Sequence, residues 1–143
     1  MRRERDSFVS SLLINQKFSK QVSVVLTERL PESNLTVYEL IALGRQPYTN
    51  WLGKLNEQDV KKINEAIELV KIEDLKHLKY YELSDGQLQK VLIARAIAQD
   101  TEIIILDEPT THLDVLHKME TFKLLKSLTG WLITRRFKSI LNQ

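Results

Sequence analysis

At 143 residues the chain suffices for one ordinary domain and is short for two. Lys plus Arg number 21 against 19 for Asp plus Glu, and a net charge of +2 gives no general case for a nucleic-acid or membrane-surface binder. The complete lack of cysteine excludes disulfide frameworks, Cys zinc sites and thiol nucleophiles.

No run approaches the ~20 apolar residues of a membrane-spanning helix. Arginines precede Phe8-Val9-Ser10-Ser11-Leu12-Leu13-Ile14, but Glu4 and Asp6 interrupt the basic stretch and no small-residue cleavage site follows. A soluble start and a cytosolic protein are expected. Gln21–Leu26 is short, alternating and β-branched, and reads as a strand. Thr36 with Glu39 three residues on forms a capping box, predicting a helix through Leu40 and Ile41, with Gly44 as a plausible stop.

Gln46–Asn56 reads as a loop. Val60, Ile63, Ile67 and Val70 then fall at helical spacing, and a shorter apolar series follows at Leu75, Leu78, Tyr81 and Leu83. Ser84 and Gln87 make a second capping box ahead of Leu88, Val91, Leu92 and Ile97. Ile103-Ile104-Ile105-Leu106 is wholly apolar, as for a strand buried on both faces of a parallel sheet. Asp114 is placed to cap a last helix carrying Val115, Met119, Phe122 and Leu125. Strand, helices, strand, helix is the order of an α/β protein, with the segment from Thr36 to Tyr81 as a helical insert.

Two segments carry chemistry. Ile103–Leu106 runs into Asp107 and Glu108, putting adjacent carboxylates at the carboxyl edge of a sheet, where open α/β folds bind ligands. In a nucleotide site the first carboxylate holds Mg²⁺ through water and the second accepts a proton from an attacking water. The bland alternative is a strand that ends in polar residues and a turn at Pro109. Ser84-Asp85-Gly86-Gln87 offers a hydroxyl, helix N-terminal amides and a close backbone approach to a phosphate, although a capping box needs no ligand. Neither bland reading accounts for both segments in this order and at this short separation.

Together the two segments resemble the ATP-binding subunits of ABC transporters. Leu83-Ser84-Asp85-Gly86-Gln87 resembles their signature motif, Ile103–Glu108 their Walker B strand and Thr111-His112-Leu113-Asp114 their D-loop, over a stretch from about Gln21 to Leu128. Within the family, Leu35–Trp51 with Gly44-Arg45-Gln46-Pro47-Tyr48 is most similar to importers of iron-siderophore, haem or cobalamin. The resemblance implies a partial P-loop NTPase fold of ABC type, a parallel sheet core with an inserted helical subdomain at about 35–90. ATP and Mg²⁺ are the implied cofactors. Asp107 would orient Mg²⁺, Glu108 would be the general base, and Ser84, Asp85, Gly86 and Gln87 would lie at the γ-phosphate of ATP on the opposite subunit. Asp114 would contact across the dimer. Permease subunits in the membrane and a second ATP-binding subunit are the implied partners, with no nucleic acid, and the assembled protein would be peripheral on the inner face of the membrane.

The pattern also departs from the family. A P-loop requires G-x-x-x-x-G-K-[ST]; of the four glycines only Gly53 precedes a lysine, and Tyr48 and Leu55 stand where the other elements belong. Thr129–Arg136 contains no switch histidine, and His77, His112 and His117 come too early. Thr27 occupies the Q-loop glutamine's place, where its hydroxyl would have a shorter reach, and Asp85 replaces the signature's first glycine. Residues 1–20 and 129–143 read as divergent flanks, as from a frameshift or interrupted gene. The expectation is a shortened ABC ATPase, inactive alone, whose Ile103–Leu106 strand lacks sheet neighbours and leaves apolar surface exposed. The alternative is a non-catalytic partner that lends its signature to, or regulates, an intact subunit. A chromosome-maintenance ATPase head would need a heptad-bearing arm, which is absent.

Overall fold

The alternation that marks Gln21–Leu26 as a strand produces β1, Val22–Val25, and the apolar run at 103–106 produces β2, Ile103–Leu106. These come from a computed structural model, which describes residues 16–26, 30, 33–107, 109–110, 113–128 and 132–134. A third strand, β3, spans Leu132–Thr134. All three are parallel in the order β1-β2-β3, with Val22 opposite Ile103 and Ile104 opposite Leu132. β2 therefore has a neighbour on each side, and the expectation that it loses them does not hold. Along β2, Ile104 and Leu106 are buried while Ile103 and Ile105 are half-buried, so only one face of the strand is fully dry.

A four-residue helix, α1 (Gln16–Ser19), precedes β1. Between β1 and β2 lie α2, Val37–Ala42, α3, Glu57–Val70, and α4, Asp85–Ala98. Thr36 caps α2 through a reciprocal pair with Glu39, and Asn56 caps α3 in the same way with Asp59. α4 packs on α2, α3 and β1, so it joins the helical part to the sheet. The core combines Val37, Leu40 and Ile41 with Ile63 and Ile67 of α3 and Val91, Ile93 and Ala94 of α4. β2 is followed by α5, Val115–Ser127.

Four details differ from the sequence reading. The α-helix α2 ends at Ala42 with Leu43 as its C-cap, next to Gly44 as expected, but a 3₁₀ segment, Leu43–Tyr48, follows at once, takes in the start of the expected loop and contains Gly44. The lack of a side chain at Gly44 is needed because a Cβ there would run into the backbone carbonyl of Arg95 on α4. On α3 the buried stripe is Asp59, Ile63, Ala66, Ile67 and Val70, and Val60 lies at its margin, 38% exposed. Tyr80, not Leu78 or Tyr81, is buried in the segment before Ser84. On α5, Thr121 and Leu125 face inward, whereas Val115, Leu116 and Met119 remain exposed.

Candidate functional site

The turn at Ser84–Gln87 is built by local hydrogen bonds. Ser84 is the extended N-cap of α4: its Oγ accepts from the Gln87 amide at 3.2 Å, and its own N–H donates to Gln87 Oε1 at 3.0 Å. Asp85 and Gly86, the first two helical residues, have N–H groups with no acceptor inside the helix. Their dipoles and the Ser84 hydroxyl hydrogen are what an anion would meet. Ser84 and Asp85 are exposed, Gln87 is half-buried and Gly86 is buried. The Asp85 carboxylate adds a negative charge at this turn, the element of the predicted set that fits a phosphate least.

What covers Gly86 is His117, in the first turn of α5. A Cβ at residue 86 would lie within contact of the imidazole Cδ2, and only 2.7 Å from Cγ and 2.9 Å from Nε2. The ring is held from its other side. Asp114, the N-cap of α5, accepts the His117 backbone N–H at 2.9 Å, and the ring Nδ1 lies 2.8 Å from the same carboxylate oxygen. With Asp114 ionised the ring must be the donor there, which requires a proton on Nδ1. The backbone N–H of His117, followed by its ring, holds the Asp114 carboxyl below the usual carboxylate range. One turn further along both helices, Lys90 Nζ reaches Glu120 Oε2 at 3.0 Å, and that hydrogen bond lowers the Glu120 pKa.

Asp107 is placed by a different element. It follows β2 directly, and its N–H donates to the Val25 carbonyl at 3.0 Å, fixing it at the carboxyl edge of the sheet. Glu108, Thr27, Thr111 and His112 lie outside the described residues. Among the described residues no group of three or more acidic or histidine side chains forms a metal cage. A single carboxylate at a sheet edge nevertheless suits Mg²⁺, which is usually held by one or two carboxylates, with substrate phosphates and waters completing its shell. His117, which the sequence shows only as too early to be a switch histidine, is placed here against the turn. Gln89 was also missed: it turns inward on α4, 9% exposed, and its Nε2 has no hydrogen-bond partner among the described residues.

A helix-capped turn, a carboxylate ending the central parallel strand and a second capped helix after it make up the site, and comparison with known proteins gives the family. The ABC transporter family model matches residues 5–111. The chain belongs to this family. An ABC transporter ATP-binding protein of Methanocaldococcus jannaschii is 46% identical over 110 residues, covering 77% of this chain and 38% of that protein. The iron(3+)-hydroxamate import ATP-binding protein FhuC of Bacillus subtilis is 37% identical over 125 residues, covering 85% of this chain and 46% of its own length. Among solved structures, a metal-chelate type ABC transporter in an inward-facing conformation superposes with a TM-score of 0.75 at 27% identity, over 80% of this chain and 47% of that one. This ABC-family chain thus spans less than half the length of the curated relatives named above. Its fold is that of the ABC-type P-loop NTPases, α/β with a parallel sheet. No helix among the described residues is long and apolar enough to cross a membrane.

Proposed function

We propose that this chain supplies the signature and Walker B portion of an ATP-binding subunit of an ABC importer, of the group that takes up iron-siderophore, haem or cobalamin. The observation that carries the reading is the capped signature turn at Ser84–Gln87, at the head of the helix that joins the helical part to the sheet. The iron(3+)-hydroxamate and metal-chelate relatives support the choice of group.

In this reading Ser84, Gly86 and Gln87 meet the γ-phosphate of ATP held by a second ATP-binding subunit, with Asp85 at the edge of that contact. Asp114 and its helix lie toward that subunit. Asp107 holds Mg²⁺, which when bound would neutralise charge on the phosphates, and Glu108 takes the proton of the attacking water. Thr27 contributes its hydroxyl near the metal. The helical segment at about 35–90 faces the permease, which places the assembled protein on the cytoplasmic face of the membrane. Nothing in the 143 residues matches G-x-x-x-x-G-K-[ST], the motif that grips the phosphates. These residues alone therefore do not turn over ATP.

A capped turn that resembles the signature, together with the lack of a P-loop motif in these residues, favours a second reading: a non-catalytic partner that donates its signature to an intact subunit or regulates it. Phosphate release from Mg-ATP by the purified chain tests the first reading's requirement. No release above buffer is expected, and turnover that Glu108→Gln abolishes would overturn it.

A further inference from the structure

We propose that His117 is a positioning residue that ties the signature turn at Ser84–Gln87 to Asp114, so that displacement of the turn is felt at the Asp114 carboxylate. The proposal rests on the reading of Ser84–Gln87 as the phosphate-contacting turn, and its physical content is the path between two elements of one chain.

The imidazole is clamped at two edges. Its Cδ2–Nε2 edge packs on Gly86 closely enough to exclude a Cβ, and its Nδ1 is bonded to Asp114 Oδ1 at 2.8 Å. Asp114 is itself fixed, because the same oxygen accepts the His117 backbone N–H at 2.9 Å as the cap of α5. A push from Gly86 on the ring is therefore carried to the hydrogen bond that the ring makes with Asp114. The charged groups gathered along this seam are Asp114 and Glu120 on α5 and Lys90 on α4, with Lys90 and Glu120 paired at 3.0 Å. The absence of a side chain at residue 86 thus has a cause within this chain, in addition to letting a phosphate approach.

The test uses the full chain without nucleotide. In the unsubstituted protein, nuclear magnetic resonance should show a nuclear Overhauser contact between Gly86 Hα and His117 Hδ2 and a proton on Nδ1; absence of the contact overturns the proposal. The carbon-detected titration of Asp114 is then followed in Gly86→Ala, His117→Asn and the double variant. Gly86→Ala should move the Asp114 midpoint up toward the ordinary carboxylate range, since the ring is displaced while the backbone donor stays. His117→Asn retains a donor near the Nδ1 position but lacks the far edge of the ring. It should keep Asp114 low and make Gly86→Ala silent. An Asp114 midpoint indifferent to Gly86→Ala with His117 present refutes the coupling. If Gly86→Ala does not fold, recovery of folding in the double variant supports the proposal and failure to recover overturns it. None of these readouts needs ATP, so they stand or fall separately from the assignment of the turn to a phosphate.

Discussion

Arg45 and Asp59 form an ion pair at 2.9 Å with side chains only 3% and 1% exposed. Arg45 also donates to the Ala98 carbonyl at 2.8 Å and stacks 3.9 Å from the centre of the Tyr48 ring, so one side chain ties the 3₁₀ segment, α3 and the end of α4 together. Coulomb's law at an effective dielectric of ~20 gives about 6 kcal/mol of attraction at this separation, against which desolvation of both ions must be set. Arg45→Met keeps much of the volume but leaves Asp59 charged and buried and the Ala98 carbonyl without its donor. The expected loss is about 3–5 kcal/mol. Arg45→Met with Asp59→Leu removes both charges and should be less destabilised than Arg45→Met alone. It is still expected to lose about 1 kcal/mol, because Asp59 also accepts the Asn56 N–H in the cap of α3. Urea denaturation followed by far-ultraviolet circular dichroism measures all three proteins. A cost below about 1 kcal/mol for Arg45→Met, or a double variant no better than the single, would refute this account.

Gly44→Ala should destabilise by about 1–3 kcal/mol, because the Cβ meets the fixed backbone of Arg95 rather than a side chain that can move aside; an unchanged urea midpoint would contradict it. Gln89→Met removes a buried donor with no partner among the described residues, so it should be neutral or stabilise by about 1 kcal/mol, and a loss of that size would show that Nε2 is satisfied. Glu39, Asp114 and Glu120 all have pKa values held below the ordinary range, by the Thr36 backbone N–H, the His117 backbone N–H and Lys90 respectively. A depressed folded value means the stabilisation is present above the ordinary carboxylate range and is lost as the pH falls through the folded values. Denaturation midpoints should therefore decline on the acid side, less steeply in Glu39→Gln, and an identical decline in both proteins would remove Glu39 from the account.

The features legible in the sequence are the local ones. Thr36 with Glu39, Ser84 with Gln87 and Asp114 ahead of α5 are caps whose partners lie within three residues, so residue type and spacing suffice to place them. The strands at 22–25 and 103–106 were equally plain from β-branching and apolar runs. Contacts between distant segments were not legible. Asp59 is a charged residue on a polar-looking helix, and its burial becomes tolerable through the ion pair with Arg45, fourteen positions away, beside the local Asn56 N–H. That pairing moves the buried stripe to include residue 59 and leaves Val60 at the margin. The close approach that Gly44 permits is not legible until the carbonyl of Arg95 is seen against it, nor is the place of His117 until α5 is laid beside Gly86. The α5 helix misled for the opposite reason: Val115 and Met119 have core character but are 74% and 54% exposed.

The central claim is that this chain carries a usable ABC signature and needs a P-loop supplied by another chain. The most direct measurement mixes it with an intact ABC ATP-binding subunit whose own signature serine is replaced by arginine, and follows phosphate release from Mg-ATP as this chain is titrated in. The account predicts release that rises and saturates with added chain and disappears when the chain carries Ser84→Arg. Release that never exceeds that of the disabled subunit alone, or that persists unchanged with Ser84→Arg, would contradict it.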